Sequence, residues 1–243
     1  MTALISVLVI LKIVWDGETI NRTKIEYVDF TWNPITGCLN NCDYCYARKI
    51  AKRFWKDFKP RFHRGRLNEP KKVKTPSLIF ADSMSDFWGR GVKQKWRDAV
   101  YETMKKTPQH IYLLLTKMPQ HITDAKKIPE NVWVGVSVSY FKDRWRVLQL
   151  VSKKQSRIFV SVEPILQDIV SEAIYLTNWI ILGGLTGVKK PFKPNEETVR
   201  EIISNCDRLK IPLFIKGNLG YGKLIRDYPA EFIDNTLEIW KVK

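Results

Sequence analysis

Six short apolar runs, separated by amphipathic stretches, constrain the fold of this 243-residue chain more than any other feature. Each run is nearly continuous in β-branched and other apolar residues, which is typical of strands buried on both faces of a parallel sheet. The predicted strands are residues 77–81, 111–115, 132–138, 157–162, 179–182 and 212–215.

The stretches between these runs have the apolar spacing of helices. Trp96, Val100 and Met104, for example, recur on one face. The predicted helices are residues 46–58, 93–106, 142–151 and 198–209. Strands that alternate with helices form βαβ units with right-handed crossovers, so we predict an α/β fold, a partial (β/α)6-type barrel.

No low-complexity linker divides the chain, so we predict one barrel domain over residues 24–243. Residues 1–23 are predicted to be an N-terminal extension. Its apolar run, residues 5–15, reads as the first strand of a β-hairpin that returns through residues 23–28. That run is interrupted by Lys12, is shorter than the roughly 20 residues of a bilayer span, and lacks the features of a signal peptide. We therefore expect no membrane association and a cytoplasmic location.

The chain is strongly basic, with 41 Lys and Arg against 25 Asp and Glu, a net charge of +16. Such a charge favours a polyanionic partner, most often nucleic acid, although a soluble protein can simply be rich in lysine. Basic residues are densest at 48–74, where Phe54, Trp55, Phe58 and Phe62 are interleaved. This pattern suits phosphate contacts with base stacking. The alternative is a solvated helix face with core aromatics on its other side, which the spacing of Phe54 and Phe58 fits and that of Trp55 and Phe62 does not. The candidate nucleic-acid-binding residues are Arg48, Lys52, Arg53, Lys56, Lys59, Arg61 and Arg64.

Three of the four cysteines, Cys38, Cys42 and Cys45, lie within eight residues, with three and then two residues between them. Three thiolates on one loop can hold three irons of a cubane cluster and leave the fourth iron open to a ligand, whereas most clusters have four cysteine ligands. Zinc is an alternative, but His63 completes no known zinc-finger spacing. A thiol–disulfide switch is another, but the βαβ context in which thioredoxin-like proteins place a Cys-x2-Cys pair is absent. Cys206 is predicted to be a buried hydrophobic residue.

Polar or glycine-rich corners follow the predicted strands, at the strand ends where α/β barrels place their chemistry. A corner can be polar only because it is solvated, but six such corners favour a lined site. The corners are residues 82–86, 116–117, 137–139, 161–164, 183–184 and 216–218.

The cysteine spacing, with the aromatic Tyr44 before the last cysteine, resembles the signature of the radical S-adenosylmethionine (SAM) superfamily. Further motifs resemble a phage- and prokaryote-encoded radical SAM-like family without a settled function, over residues 24 to about 217. That family usually carries Glu where this chain has Leu185 and Ser139. The motifs are IEY at 25–27, TWNPITGC at 31–38, SMSD at 83–86, LTK at 115–117, VGVSV at 134–138, SVEP at 161–164, WIILGG at 179–184 and FIK at 214–216.

The resemblance implies an enzyme on a radical SAM barrel, with a [4Fe–4S] cluster on Cys38, Cys42 and Cys45 and SAM as the second cofactor. Reductive cleavage of SAM would generate a 5′-deoxyadenosyl radical. Glu163 and Lys216 would face the barrel mouth as catalytic residues, or would form a buried ion pair that steadies the barrel. The cofactor-binding residues that the resemblance implies are Tyr44, Ser83, Ser85, Asp86, Ser137, Ser139, Gly183 and Gly184.

The leading substrate hypothesis is a base, or a lesion in a base, of DNA or tRNA. A base in a duplex would have to leave its stack to reach the barrel. The resemblance also implies an electron donor such as ferredoxin or flavodoxin. Two alternatives remain: a radical SAM enzyme for a peptide or small molecule, and a non-catalytic, metal-stabilised nucleic-acid-binding module.

Overall fold

A computed structural model describes residues 20–54, 57–168, 172–186 and 191–232 of the chain. Its main feature is an eight-stranded sheet with the order β1-β2-β5-β6-β7-β8-β9-β10, parallel except for the β1–β2 pair. β3 and β4 form a separate antiparallel pair. The strands are β1 Asn21–Arg22, β2 Phe30–Trp32, β3 Ile35–Thr36, β4 Arg61–Phe62, β5 Leu78–Ala81, β6 Ile111–Thr116, β7 Val132–Ser137, β8 Ile158–Val162, β9 Ile180–Leu182 and β10 Leu213–Ile215.

Helices and short 3-10 turns connect the parallel strands. The helices are α1 Tyr46–Phe54, α2 Gln94–Lys105, α3 Trp145–Val151 and α4 Glu196–Leu209. None of the helices in the described ranges has both the length and the apolar character that a bilayer span requires.

The two faces of the sheet bury different sets of side chains, because successive residues of a strand point to opposite faces. On one face, strand residues such as Leu114 pack with Val100 and Met104 of α2. On the other face, large side chains from the first residues of the strands, or from just before them, fill the amino end of the barrel: Leu113, Trp133, Phe159, Trp179 and Phe214. These side chains pack the barrel interior below the cavity that lies at the carboxyl ends of the strands.

The predicted α/β partial barrel is confirmed, and each of the six predicted strands is present to within about one residue at either end. The predicted return strand at residues 23–28 is wrong. Val28 N–H bonds to the Ile25 carbonyl in a turn that buries Tyr27 and Val28, and the strand before it is β1. The apolar run at residues 5–15 lies outside the described residues.

The predicted helix at 46–58 is shorter in the structure. α1 ends at Phe54, and Phe58 lies outside the helix. Phe58 is nevertheless buried, and its carbonyl accepts a hydrogen bond from Cys38 N–H at 2.8 Å. The apolar spacing of Phe58 thus marks a core position, and the chain reaches that position after leaving the helix.

The barrel is partial, since within the described residues β2 and β10 are not paired with each other. Glu26 spans this open seam. Its carboxylate accepts from Gly217 N–H at 3.1 and 3.2 Å and forms an ion pair with Arg226 at 2.6 Å. Beside it, the Tyr27 ring packs edge-on against Trp179 and Phe214. Side chains, and not strand pairing, therefore join the two edges of the sheet here.

Candidate active site

A cavity of about 490 Å³ lies at the carboxyl ends of the parallel strands. Its lining joins the cysteine loop to the strand-end corners that the sequence singles out. The predicted site residues in this lining are Cys38, Cys42, Tyr44, Cys45, Ser83, Ser85, Asp86, Ser137, Glu163, Gly184 and Lys216. Ser139 and Gly183 are not part of it.

The cysteine loop is fixed by Gly37, whose backbone has φ +87°. A Cβ at this position would lie 2.1 Å from the Lys59 carbonyl oxygen, so only glycine permits this close approach. Gly37 N–H donates to the Met84 carbonyl at 2.9 Å, and Ser85 Oγ donates to the Gly37 carbonyl at 2.8 Å. The loop therefore enters the cavity from a fixed point.

The three cysteines of the loop are free and half-buried. Burial raises the pKa of Cys38 to about 12, and burial also raises the pKa of Cys42. The backbone N–H groups of Asn40 and Arg48 point at the sulfurs of Cys38 and Cys45, each at 3.4 Å. A bound metal would replace the thiol protons, so loading releases protons.

The donor set fits an iron–sulfur cluster better than a single ion. Within the described residues, no three His, Cys, Asp or Glu side chains converge closely enough to hold one metal ion, as zinc requires. A cubane cluster does not need that convergence, because each thiolate binds a different iron. Cys38, Cys42 and Cys45 share one cavity with the polar side chains of the strand ends, so these residues fit an iron–sulfur cluster.

The Asp86 carboxylate ties the cysteine loop to the sheet. It is buried and accepts from Asn40 Nδ2 at 2.6 Å, from Thr116 Oγ1 at 2.6 Å and from Lys117 N–H at 2.9 Å. Ser83 Oγ likewise donates to Asn33 Oδ1 at 3.2 Å. Asp86 and the two serines of this corner thus bind the loops to each other. Direct contact of these residues with SAM stays a prediction.

Tyr44, which lines the cavity, is paired with Ser139, which does not. The two hydroxyl oxygens lie 3.0 Å apart, and Ser139 is fully buried. Where the resembled family usually has a carboxylate, this chain therefore uses a hydroxyl to hold the aromatic residue of the cysteine motif.

The two glycines after β9 have steric reasons for their identity. A Cβ on Gly184 would lie 2.4 Å from the Asn218 carbonyl oxygen, and one on Gly183 would lie 3.0 Å from Glu163 Cγ. Asn218 also exchanges two hydrogen bonds with the Gly184 backbone, at 3.1 and 2.9 Å. The glycines thus make room for the chain after β10 and for Glu163, while their predicted role in cofactor binding is untested.

Glu163 and Lys216 form an ion pair on the cavity wall. Tyr27 O–H donates to Glu163 Oε2 at 3.4 Å, and Lys216 Nζ lies 5.8 Å from the centre of the Tyr27 ring. The two side chains are paired, as in the ion-pair alternative to a catalytic role, but they are half-buried. Because both side chains also line the cavity, a catalytic role stays a prediction.

Asp82 is a cavity residue that was not among the predicted site residues. It follows β5 directly, has φ +57°, and accepts from Ile35 N–H at 2.9 Å through Oδ1. Its other oxygen, Oδ2, is buried and has no hydrogen-bond partner within the described part of the chain. Burial raises the pKa of Asp82 well above its ordinary value of 3.8, which favours the protonated form of this carboxyl. The sequence signal was an aspartate placed immediately after an apolar strand.

Two further unpartnered groups are the hydroxyls of Ser137 and Ser161. These residues are register partners on β7 and β8, and both are almost fully buried. Neither Oγ has a hydrogen-bond partner among the residues that the structure describes, and both residues line the cavity. Buried hydroxyls normally have partners, so these two are available to a bound molecule.

The basic residues at positions 48–74, which we call the basic strip, are only partly exposed. Arg48 is turned inward, where it donates to the Cys38 carbonyl at 2.9 Å and lies 5.4 Å from the centre of the Phe58 ring. Arg61 is exposed but paired with Asp57 at 2.7 Å, and Lys56 lies outside the described residues. The remaining candidates, all exposed, are Lys52, Arg53, Lys59 and Arg64.

Phe58 occupies the core position that its helical spacing favours, whereas the base-stacking interpretation is wrong for Phe62. Phe58 is buried, and Phe62 is half-buried and stacks on Trp96, with ring centres 5.8 Å apart and planes 9° apart. Both rings are core side chains because the loop after α1 folds back over the cysteine loop. Trp55 and the side chain of Phe54 lie outside the described part of the chain.

Comparison with known proteins gives one family and one set of similar folds. The sequence model of the family described as "Protein of unknown function (DUF5131)" matches residues 22–230. A search of the curated proteins finds no match.

The similar folds are solved structures of spore photoproduct lyase. One, complexed with dinucleoside spore photoproduct, is 11% identical, with a TM-score of 0.53, over 83% of this chain and 79% of that chain. Another, a mutant with bound AdoMet and dinucleoside spore photoproduct, is 10% identical, with a TM-score of 0.57 and the same coverage. At these identities the likeness shows the fold alone.

Proposed function

The chain belongs to the DUF5131 family of proteins of unknown function, and we propose that it is a radical SAM enzyme that acts on a nucleic-acid base. One observation carries the proposal: three free cysteines on a fixed loop line the same cavity as the polar strand ends of a partial barrel. Similarity of fold to a lyase solved with AdoMet and a dinucleoside photoproduct supports it.

A [4Fe–4S] cluster held by Cys38, Cys42 and Cys45 would supply the electron that cleaves SAM, and the resulting 5′-deoxyadenosyl radical would remove a hydrogen atom from substrate. The protein's own side chains would bind and orient the cofactor and the substrate. The free hydroxyls of Ser137 and Ser161 would bond polar groups of the bound molecules.

Apolar residues separate this chemistry from solvent. Phe80 and Leu115 line the cavity, and Leu185 adds a further apolar side chain where the resembled family usually has a carboxylate. Exclusion of water protects a reactive radical from side reactions. The electron would come from a small redox protein such as ferredoxin or flavodoxin, which stays a prediction.

The enzyme proposal is tested by anaerobic reconstitution with iron and sulfide, reduction with dithionite, and measurement of 5′-deoxyadenosine released from SAM. We expect release from the wild-type protein and none from C42A. The matched control is C206A, because Cys206 is buried in α4 among apolar residues and far from the motif in sequence. Thermal unfolding of both variants confirms that they fold. Tight binding of zinc without cleavage of SAM would overturn the proposal.

The nucleic-acid part of the proposal is supported by the net charge of +16 and by the exposed cations of the basic strip. Binding that depends on phosphate contacts weakens linearly in log K against log salt concentration. We therefore expect a steep salt dependence for DNA or tRNA. Binding that is flat across the salt series would contradict this part and favour a peptide or a small molecule as substrate.

A further inference from the structure

A second surface, which the sequence pattern does not reveal, follows β7. Phe141 and Trp145 are each 40% exposed, and Leu148 is 52% exposed. Their spacing of four and three residues places them on one face of the 3-10 turn and α3. Large aromatic side chains grouped on a surface commonly mark an interaction site. We call residues 140–145 the aromatic surface.

Positive charges accompany the rings of the aromatic surface. Arg144 Cζ lies 4.1 Å from the centre of the Phe141 ring, and Lys142 Nζ lies 5.2 Å from the centre of the Tyr140 ring. Both distances are within the range of cation–π contacts. The arrangement therefore offers ring faces and cations side by side.

The one acidic residue of this segment does not oppose these charges. Asp143 is buried, accepts from the backbone N–H groups of Ser139 and Tyr140 at 3.1 Å each, and pairs with Arg146 at 3.0 Å. The Asp143 carboxylate is thus engaged in hydrogen bonds and an ion pair within the turn, and these contacts fix the shape of the turn. The exposed charge of the segment is positive.

The aromatic surface adjoins the cavity. Ser139, the residue before it, bonds to Tyr44 of the cysteine motif at 3.0 Å. Arg146, just after it, donates to the Ser137 carbonyl at 2.8 Å, and both Tyr44 and Ser137 line the cavity. A polymer held on this surface would therefore have its neighbouring units close to the cavity mouth.

From these observations we infer that the aromatic surface binds single-stranded nucleic acid, with unpaired bases stacked on Phe141 and Trp145 and phosphates held by Lys142 and Arg144. Aromatic rings beside cations are the combination by which proteins grip single strands. The inference rests on the nucleic-acid part of the proposed function and adds where the strand is held. The basic strip supplies cations, but its rings Phe58 and Phe62 are packed inside.

The experiment measures anisotropy of a fluorescein-labelled, single-stranded thymidylate oligonucleotide as the full-length protein is added across a salt series. Because a base stacked on an aromatic ring adds to the affinity independently of phosphate contacts, W145A should bind about tenfold more weakly with an unchanged salt slope. W145F should keep most of the affinity, since it keeps an aromatic face. R144A should lower the salt slope by about one. L176A, at another exposed apolar position, is the matched control and should bind as wild type.

Three outcomes would overturn the inference. In the first, W145A binds as tightly as W145F and the wild type. In the second, W145A leaves oligonucleotide binding intact but slows reduction by flavodoxin, which would make this a docking surface for an acidic redox protein. In the third, the wild-type protein binds no oligonucleotide, and the nucleic-acid part of the proposed function falls as well. Release of 5′-deoxyadenosine, which needs no nucleic acid, reports separately on the enzyme.

Discussion

At the scale of single residues, substitution of Gly184 can distinguish a role in packing from a role in cofactor binding. A Cβ there would lie 2.4 Å from a backbone oxygen of Asn218, which cannot move aside as a flexible side chain could. We expect G184A to destabilise the cofactor-free protein by about 1–3 kcal/mol. That corresponds to a Tm lower by roughly 2–4 °C for each kcal/mol in a chain of this size.

G65A is the control for this thermal unfolding measurement, because a Cβ on Gly65 would meet nothing within 4 Å. Its stability should stay within about 0.5 kcal/mol of the wild type. If G184A unfolded at the wild-type temperature and lost only the binding of SAM, then cofactor contact would explain this glycine better than packing.

Asp82 predicts an unusual dependence of stability on pH. Burial raises its pKa in the folded protein well above the ordinary 3.8, so the folded state holds a proton that the unfolded state releases. The contribution of Asp82 is therefore largest at low pH, and stability is lost as pH rises above about 4, by at most about 1.4 kcal/mol per pH unit.

D82N removes this titration and keeps the oxygen that accepts from Ile35 N–H. We expect D82N to become progressively more stable than the wild type between about pH 4 and pH 8, as measured by urea unfolding of the cofactor-free protein. A stability difference that narrows with rising pH would show that Asp82 is ionised in the folded state.

At the scale of elements, α1 combines two roles that look alike in the sequence. Arg48 lies on the inner side, where it holds the Cys38 carbonyl, whereas Lys52, one turn later, is exposed. Loss of Arg48 leaves a carbonyl without its donor and the cysteine loop without its brace. We expect R48A to lower the iron content after reconstitution several-fold, and K52A to leave it unchanged. Equal iron contents in the two variants would contradict a bracing role for Arg48.

The strands differ in how far the sequence could reveal them. β5 to β10 were predicted because they are buried on both faces and therefore read as continuous apolar runs. β1, β3 and β4 have two residues each, which is too short for a pattern. β1 forms by pairing with the nearby β2, and β3 and β4 form because segments about 26 residues apart pair with each other. β2 has three residues and was hidden by the neighbouring apolar turn at Tyr27.

The site was predictable to the same extent. The cysteines and the strand-end corners follow from local order along the chain, so the structure brings most of them into one cavity. Local order along the chain does not reveal which polar groups already have hydrogen-bond partners within the protein. Asp86 and Ser139 are bonded across 30 to 95 residues of sequence, while Ser161 is left free. The directions of Phe58 and Phe62 likewise depend on tertiary packing.

At the scale of the whole molecule, the barrel is packed at its amino end, open at its carboxyl end, and joined along the seam by Glu26. Although burial raises the pKa of Glu26, the Gly217 N–H and the Arg226 guanidinium outweigh it and hold the pKa below its ordinary 4.5. The contribution of a carboxylate with a lowered pKa is present above the unfolded-state value and is lost as pH falls through the folded-state value.

We therefore expect E26Q to be less stable than the wild type at neutral pH by about 1 kcal/mol, a figure kept small by solvent screening at this partly exposed site. The difference should begin to narrow below about pH 4.5, where the unfolded state takes up a proton, and should close once the pH has fallen through the lower pKa of the folded state. Urea unfolding at several pH values measures both effects. E196Q is the control, since Glu196 pairs with Arg200 on the exposed face of α4 and should contribute little. A difference between E26Q and the wild type that persisted at acid pH would mean that the seam depends on the shape of the Glu26 side chain and not on its charge.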